Sequence, residues 1–354
     1  MFDMENEVCT AIGTPNKAVV LYWGKRDYDL TLPLNSSASM TLDENLNTKT
    51  SVIFSTKIRE DVIYIDGAER KIHNNPERKI SILGPTLDEI RSLSGIKGKA
   101  LIVSKNSFPQ SAGLASSASG AVTFVYAAVN AANLNLSKKD MSIMVRRISG
   151  SGCRSVFGGF SAWKKGDKAD GSDSYAEQIE DSKYWPEVID VVGIISAEKK
   201  KISTDDGHII TSETSTFIKS RAVQADKDTE TMYDVVRKRD FERLAYIIMR
   251  DSNSMHATML DSWPPITYLN DKSKQVMEAV HELNDAEGKL IAGYTFDAGP
   301  NPHIFTTRKN ERKVVELLDS IIGEGKHYVA GQGSGPRLLG DSDSLINIDT
   351  LKPR

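Results

Sequence analysis

The sequence predicts an α+β fold with two lobes, and three observations lead to it. Short β-branched or aromatic runs typical of strands occur in both halves of the chain, helix-forming segments lie between them, and no strict strand–helix–strand repeat connects them. A chain of 354 residues is also longer than one typical core holds. The polar segment 198–212 predicts a mobile loop and a division into domains 1–195 and 196–354.

The first half of the chain predicts a sheet followed by two helices. Runs bounded by Gly, Asn and Asp predict strands at 18–22, 51–55, 62–66 and 100–104. The Ala-rich segment 113–132 lacks Pro and predicts a helix with small side chains that allow close packing. We expect Ser137 to cap the next helix, which runs to about Ile148.

The second half predicts strands and helices in mixed order. Apolar residues at helical spacing predict one helix at 232–252. The remaining elements are strands at 188–196, 290–296 and 303–307 and helices at 273–284 and 310–322.

Composition excludes several classes of protein. The net charge of −3 argues against general nucleic-acid binding, which needs a large basic surface. Cys9 and Cys153 cannot form a disulfide framework, and the scattered histidines lack the spacing of a zinc site, so we expect no metal site. The first residues do not resemble a signal peptide, and no apolar run approaches the roughly 18 residues of a membrane span. We therefore expect a cytoplasmic protein without membrane insertion.

A Gly- and Ser-rich turn at 109–120 leads directly into the predicted Ala-rich helix. Exposed amides of a first helical turn, the helix dipole and nearby hydroxyls can together hold a phosphate. The turn is not a Walker A loop, since no Gly-Lys-Ser/Thr follows. An ordinary capped core helix explains the pattern equally well. The candidate phosphate-binding residues are Gly113, Leu114, Ala115, Ser116 and Ser117.

A second turn alternates Ser and Gly and then reaches an arginine. Ser149, Gly150 and Ser151 offer hydroxyls and amides, and Arg154 adds a planar fork suited to carboxylate or phosphate. A flexible linker with a solvated arginine is the alternative. The Phe-Gly-Gly continuation at 157–159 favours a built site.

Two adjacent aromatics precede a basic pair near the N-terminus. Tyr22, Trp23 and Lys25 could form a pocket wall with a subsite for an anion, or the two aromatics could be core residues before a solvated turn. The run at 199–201 is expected to be a solvated lysine face, although a loop closing over a polyanion could use it.

Asp297 follows a predicted strand and precedes Ala-Gly-Pro-Asn. A carboxylate at a strand end is held on a rigid base, as a reactive side chain requires, but a lone Asp is more often a cap or turn residue. His256 could act as a base, and for a single histidine we favour a structural role.

Together these segments resemble the mevalonate diphosphate decarboxylases, a branch of the superfamily of galactokinase, homoserine, mevalonate and phosphomevalonate kinases. The resemblance covers most of the chain, and several ordered motifs are more specific than any one of them. The matching segments are 22–27, 33–37, 113–119, 149–159, 199–203, 255–258, 264–265 with 268–269, and 297–301.

The resemblance implies a fold and roles for the candidate residues. The fold has an N-terminal lobe built like a ribosomal-protein domain and a C-terminal ferredoxin-like lobe, with the active site in the cleft between them. Asp297 matches the catalytic aspartate, Arg154 the arginine that contacts the substrate carboxylate, and 113–119 the ATP-phosphate loop. Positions lining the substrate are Tyr22, Trp23, Lys25, Ser149, Gly150 and Ser151.

One departure from the family pattern affects the expected reaction. These decarboxylases usually carry a lysine immediately before the Tyr-Trp-Gly-Lys run, and here that residue is Leu21. Losing a buried cation should harm phosphoryl transfer to the 3-hydroxyl, whereas elimination needs only a carboxylate near C3. Because Asp297 is kept, the pattern favours the ATP-independent archaeal enzymes that convert mevalonate 3,5-bisphosphate to isopentenyl phosphate, with no cofactor required.

Three alternatives stay open. The chain could be an ATP-dependent diphosphomevalonate or phosphomevalonate decarboxylase, as its ATP-type loop suggests, or a kinase that has lost decarboxylation. A retired scaffold acting as a binding protein would lack Asp297 or Arg154, and both are present. Asp205 stands where some diphosphate-using relatives carry Arg, which makes a 5-monophosphate easier to accept. The resemblance also implies a homodimer and a phosphorylated mevalonate as the partner.

Overall fold

The computed structural model of the chain describes residues 7–107, 116–196 and 200–354. The strands are β1 (Cys9–Gly13), β2 (Asn16–Val20), β3 (Lys25–Asp27), β4 (Leu32–Pro33), β5 (Ser37–Thr41), β6 (Thr48–Ser55), β7 (Val62–Ile65), β8 (Ala68–Lys71), β9 (Lys99–Asn106), β10 (Phe160–Trp163), β11 (Ala176–Glu180), β12 (Val188–Gly193), β13 (Ala292–Phe296), β14 (Pro302–Thr307), β15 (His327–Ala330), β16 (Arg337–Leu338), β17 (Ile346–Asn347) and β18 (Lys352–Pro353). The helices are α1 (Arg78–Ser81), α2 (Leu83–Ser94), α3 (Ser116–Ala131), α4 (Lys138–Ile148), α5 (Thr204–Thr214), α6 (Ile218–Lys238), α7 (Phe241–Leu260), α8 (Asp271–Glu287) and α9 (Glu311–Ile322).

Three larger sheets organise the described residues, and the α+β prediction is confirmed. The first has the order β16-β1-β6-β9-β7-β8, the second β11-β10-β5-β2 and the third β13-β14-β12-β15. The third sheet is antiparallel throughout. Among these helices, none combines the length and the apolar character that crossing a bilayer requires.

The cores lie between the sheets and the helices. One core lies between the first sheet and α2, α3 and α4. A second joins β2, β5 and β10 to the inner face of the third sheet and to α6 and α7, so it unites the two lobes. The outer face of the third sheet packs on α8 and α9. Burial of apolar surface across the second core fixes β2 against the C-terminal sheet.

Two predictions about the second half of the chain are wrong: one predicted helix is two helices, and most of one predicted loop is a helix. The single helix expected at 232–252 is divided, because Arg239 adopts a left-handed conformation with φ 53° that ends α6, and Asp240 then caps α7 by accepting a hydrogen bond from the Arg243 amide. Most of the expected loop at 198–212 is α5. Its start is fixed by Ser203, whose hydroxyl accepts from the Asp206 amide at 3.1 Å.

Other expected elements agree closely with the structure. Ser137 caps α4 as expected, accepting from the Asp140 amide at 3.1 Å.

β12 pairs with β14 and β15, so this strand belongs to the C-terminal sheet although it precedes the predicted division at residue 195. β16 pairs with β1, which returns the end of the chain to the N-terminal sheet.

Candidate active site

Asp297 lies directly after β13, in a turn that neighbouring elements hold in place. The Gly299 amide donates to the Asp297 carbonyl at 2.7 Å. The side-chain oxygen of Asn301 accepts from the amides of Ile195 and Ser196 at 2.8 and 3.0 Å, which ties the turn to the end of β12. The side chain of Asp297 is 45% exposed, so the anchored turn presents its carboxylate to the space between the lobes.

Lys17 supplies a cation to this carboxylate. Its Nζ atom lies 2.8 Å from Oδ1 of Asp297, and its side chain is only 2% exposed. Desolvation raises the pKa of Asp297, but the charges of Lys17, His303 and Lys200 outweigh it and hold the pKa well below its usual range. The sequence analysis missed Lys17, although a lysine within an apolar strand is itself an unusual signal.

The Asp297 carboxylate has a cation beside it although residue 21 is a leucine. Leu21 is buried in an apolar cluster that includes Trp23, Met255 and Ala298. The lysine expected at position 21 is therefore replaced by Lys17, which lies earlier on the same stretch of chain and reaches Asp297. The inference that a buried positive charge had been lost is wrong.

Arg154 lies in a short 3-10 helix at Ser151–Val156 and is 2% exposed. Its Nε donates to the side-chain oxygen of Asn16 at 3.2 Å, and its Nη1 donates to the hydroxyl of Ser37. Burial lowers the pKa of Arg154, whereas the charge of Asp297 is among the influences that raise it. Asn16 precedes Lys17, so β2 positions both cations of the site.

The Ser-Gly turn places Tyr22 against the same region. Ser149 ends α4, and Ser151 begins the 3-10 helix. A Cβ atom at Gly150 would lie 3.1 Å from the Tyr22 ring, so only glycine allows this approach without displacement. The structure thus brings the predicted residues Tyr22, Ser149, Gly150 and Ser151 close to Arg154, and the turn is not a linker.

Both aromatics of the N-terminal motif pack on His208, a residue that the sequence analysis did not single out. The His208 ring stacks on Tyr22 at 4.5 Å and on Trp23 at 4.2 Å between centroids. Its Nδ1 accepts from the Gly24 amide at 2.8 Å. Burial lowers the pKa of His208 to about 3, so the ring is neutral and serves as a packed, uncharged wall.

Lys25 extends the site beyond Tyr22. Its Nζ atom lies 3.0 Å from Oδ1 of Asp205 in the first turn of α5. Lys25 is 6% exposed and Asp205 is 66% exposed. The predicted anion subsite therefore already contains a carboxylate.

His256 and Lys200 occupy the margin of the site. His256 Nε2 lies 3.2 Å from the Phe296 carbonyl, and burial lowers the pKa of His256 to about 4. The neutral His256 ring donates a hydrogen bond to the carbonyl at the end of β13, which is the structural role that the sequence favours for this histidine. Lys200 is exposed, and its Cε lies 3.8 Å from the position of a Cβ at Gly299, so part of the lysine run lies over the Asp297 turn.

The predicted phosphate loop falls mainly outside the described residues. This applies to Gly113, Leu114 and Ala115, whereas Ser116 begins α3 and Ser117 follows it as an exposed residue. In the described part of the chain, no group of three or more His, Cys, Asp or Glu side chains could hold a metal ion.

Two family models match this chain. The model of the diphosphomevalonate decarboxylase-like N-terminal domain matches residues 13–176. The model of the mevalonate 5-diphosphate decarboxylase C-terminal domain matches residues 190–337. Together they cover both sides of the Lys17–Asp297 contact.

Known proteins resemble the chain over nearly its full length. The diphosphomevalonate decarboxylase of Schizosaccharomyces pombe is 38% identical over 339 residues, which are 93% of this chain and 86% of that protein. Mevalonate diphosphate decarboxylase from Staphylococcus aureus has a TM-score of 0.86 and 32% identity, covering 94% of this chain and 98% of that one. The structure of MDDEF in complex with MVAPP, AMPPCP and magnesium has a TM-score of 0.83 and 34% identity, covering 94% of this chain and 98% of that one.

These comparisons confirm the α+β fold of the kinase superfamily and correct two predictions. The relatives are diphosphomevalonate decarboxylases, which contradicts the prediction of an ATP-independent enzyme acting on mevalonate 3,5-bisphosphate. MDDEF binds AMPPCP, an ATP analogue, with magnesium, which contradicts the prediction that no cofactor is required. The two matching domain models and the 38% identity show that this chain belongs to the diphosphomevalonate decarboxylase family.

Proposed function

We propose that this chain catalyses the ATP-dependent decarboxylation of a 5-phosphorylated mevalonate. The products are the corresponding isopentenyl ester, ADP, inorganic phosphate and CO2. The ion pair between buried Lys17 and half-exposed Asp297 carries the proposal, because it supplies the cation that phosphoryl transfer requires at the carboxylate that the family uses. The relatives that bind MVAPP and AMPPCP support it.

In the first half-reaction the 3-hydroxyl oxygen attacks the terminal phosphorus of ATP. The hydroxyl proton passes to the Asp297 carboxylate, which is ionised and half-exposed at the end of β13. The P–O bond to ADP breaks as the new P–O bond forms. Lys17 stabilises the charge that spreads over the transferring group, as a fixed cation in a desolvated site does.

In the second half-reaction the 3-phosphate leaves with the electrons of its C–O bond. Asp297 first passes the hydroxyl proton to solvent, which its half-exposed carboxylate reaches, and then stabilises the positive charge that develops at C3. Arg154, held by Asn16 and Ser37, orients the substrate carboxylate. The C1–C2 bond then breaks, its electrons form the alkene, and carbon 1 departs as CO2.

The residues present fit a nucleotide that brings its own magnesium. α3 begins at Ser116, and the N-terminus of a helix directs backbone amides and the positive end of its dipole towards a phosphate. Lys17 and Lys200 both act on Asp297 and could neutralise the transferring phosphate. Magnesium needs few protein ligands when phosphates and water supply the rest, and it would neutralise the nucleotide's charge.

The direct test is incubation of the purified protein with mevalonate 5-phosphate or 5-diphosphate, with and without ATP and magnesium. We expect CO2 and ADP in equal amounts, and neither without ATP. CO2 from mevalonate 3,5-bisphosphate without nucleotide, together with no ATP-dependent turnover, would overturn the proposal. Homodimerisation and a cytoplasmic location remain predictions, which sedimentation and fractionation of cells would check.

A further inference from the structure

We infer that Asp205 determines specificity at the 5-phosphate end of the site and restricts the substrate to a 5-monophosphate. The inference rests on the proposed function for its identification of the substrate. It goes further because it assigns a discriminating role to the Lys25–Asp205 pair, whose Nζ and Oδ1 atoms are 3.0 Å apart.

The site extends from Arg154 past Tyr22 to Lys25. Tyr22 contacts His208 and lies beside the Ser-Gly turn that leads to Arg154. Burial raises the pKa of Tyr22, Asp205 raises it further and Arg154 lowers it, so charges at both ends act on this one ring. With its carboxylate at Arg154, a mevalonate chain directs its 5-phosphate towards Lys25.

Lys25 is the buried member of its pair and Asp205 is the exposed one. The Lys25 side chain is 6% exposed, and its Nζ also lies 5.8 Å from the centre of the Tyr28 ring. A phosphate that binds Lys25 must therefore share the ammonium with Asp205 or displace it. Arg26 offers no second cation there, since its guanidinium donates to the carbonyls of residues 165, 166 and 168.

The local charge favours the smaller anion. Asp206 follows Asp205 in the first turn of α5, where both carboxylates already complement the helix dipole. His208, which lies near both Lys25 and Asp205, is neutral, since burial lowers its pKa to about 3. The Lys25 ammonium thus already faces the Asp205 carboxylate, whereas the Asp206 carboxylate accepts a hydrogen bond from the Ser203 hydroxyl. A monophosphate can compete for Lys25, whereas a diphosphate would bring an additional charged group against Asp205.

The test compares kcat/KM for mevalonate 5-phosphate and 5-diphosphate with ATP and magnesium. We expect the native protein to prefer the monophosphate at least about tenfold, and Asp205→Asn to reduce that preference at least about fivefold, as removal of one nearby charge would. Asp206→Asn is the matched control, because it removes an equal charge from the same turn without touching Lys25. Its preference should stay within about twofold of the native value.

Calorimetric affinities for both esters separate this inference from the proposed function. Tighter binding of the monophosphate that Asp205→Asn abolishes supports the inference even if neither ester is turned over. A native preference for the diphosphate, equal effects of Asp205→Asn and Asp206→Asn, or no binding of either ester overturns it. Thermal unfolding checks that each variant folds, and Asp205→Ser replaces Asp205→Asn if the latter does not.

Discussion

The Nζ atom of Lys17 lies 2.8 Å from Oδ1 of Asp297 and joins strand β2 to the turn after β13. Lys17 is buried, whereas the carboxylate is half-exposed. The two lobes therefore meet at an ion pair that keeps Asp297 charged and leaves it accessible. One contact provides the carboxylate for proton transfer and a cation for the transferring phosphate.

Replacing Lys17 should remove most of the ATP-dependent activity. We expect Lys17→Met to lower kcat by about 10² to 10³-fold, the usual effect of losing one preorganised group that stabilises developing negative charge. The measurement is the rate of CO2 and ADP release at saturating substrate and nucleotide.

Lys49→Met is the matched control for this variant. Lys49 pairs with Asp343 at 2.7 Å, but both side chains are partly exposed, at 28% and 44%. The control should retain its activity. Full activity of Lys17→Met would show that the Lys17 charge does not contribute to turnover.

Asp297→Asn should abolish alkene formation while the fold persists. The amide keeps the shape of the carboxylate but neither accepts the hydroxyl proton nor stabilises positive charge at C3. We expect a loss of about 10³-fold or more in kcat, with an unchanged circular dichroism spectrum. Asp343→Asn provides a control at an exposed carboxylate. Residual activity near the native level would exclude Asp297 as the main acceptor and stabiliser.

The sequence predicts much of the fold because the signals involved are local. Short apolar runs rich in β-branched or aromatic residues indicate β6, β9 and β13, and a single hydroxyl before a helical run identifies the Ser137 cap. Asp297, Arg154 and the Ser-Gly turn are candidate site residues from the sequence because each lies in a short motif. Residue type and spacing suffice for such features.

The contacts that define the chemistry are not local. Nothing in the residues around Lys17 indicates that its side chain reaches a turn near the other end of the chain, and Leu21 drew attention to a missing cation instead. His208 and Asp205 lay in a segment read as a loop, because three lysines and a glycine obscured the Ser203 cap. Tertiary packing, which one sequence does not reveal, determines the contacts of Lys17, His208 and Asp205.

Asp251→Asn should destabilise the fold strongly. Asp251 and Arg221 form a buried pair at 3.0 Å, exposed by 3% and 2%, and Asp251 also accepts from the Leu21 amide at 2.6 Å. The substitution leaves the Arg221 charge buried without its counter-ion, which costs about 3–5 kcal/mol. Urea unfolding measures the change. Asp234→Asn, which breaks an exposed pair with Lys238, should change stability by less than about 1 kcal/mol.

His208 should make stability depend on pH. Its pKa is lowered by burial to about 3 in the folded protein, compared with about 6.5 in an unfolded chain. Between these values the unfolded chain binds the extra proton, so the stability that neutral His208 contributes is fully present above about pH 6.5. It is lost as pH falls, by up to about 1.4 kcal/mol per pH unit.

His208→Asn should remove that contribution, because the amide packs at the same position without titrating. We expect the slope of the unfolding free energy against pH, between about pH 4 and 6, to decrease by up to about 1.4 kcal/mol per pH unit. This decrease corresponds to one proton fewer taken up on unfolding. Chemical denaturation across this range measures it, and the pH range 7–8 is the internal control, since His208 is neutral there in both states. Equal slopes for the two proteins between pH 4 and 6 would show that His208 is protonated in the folded chain.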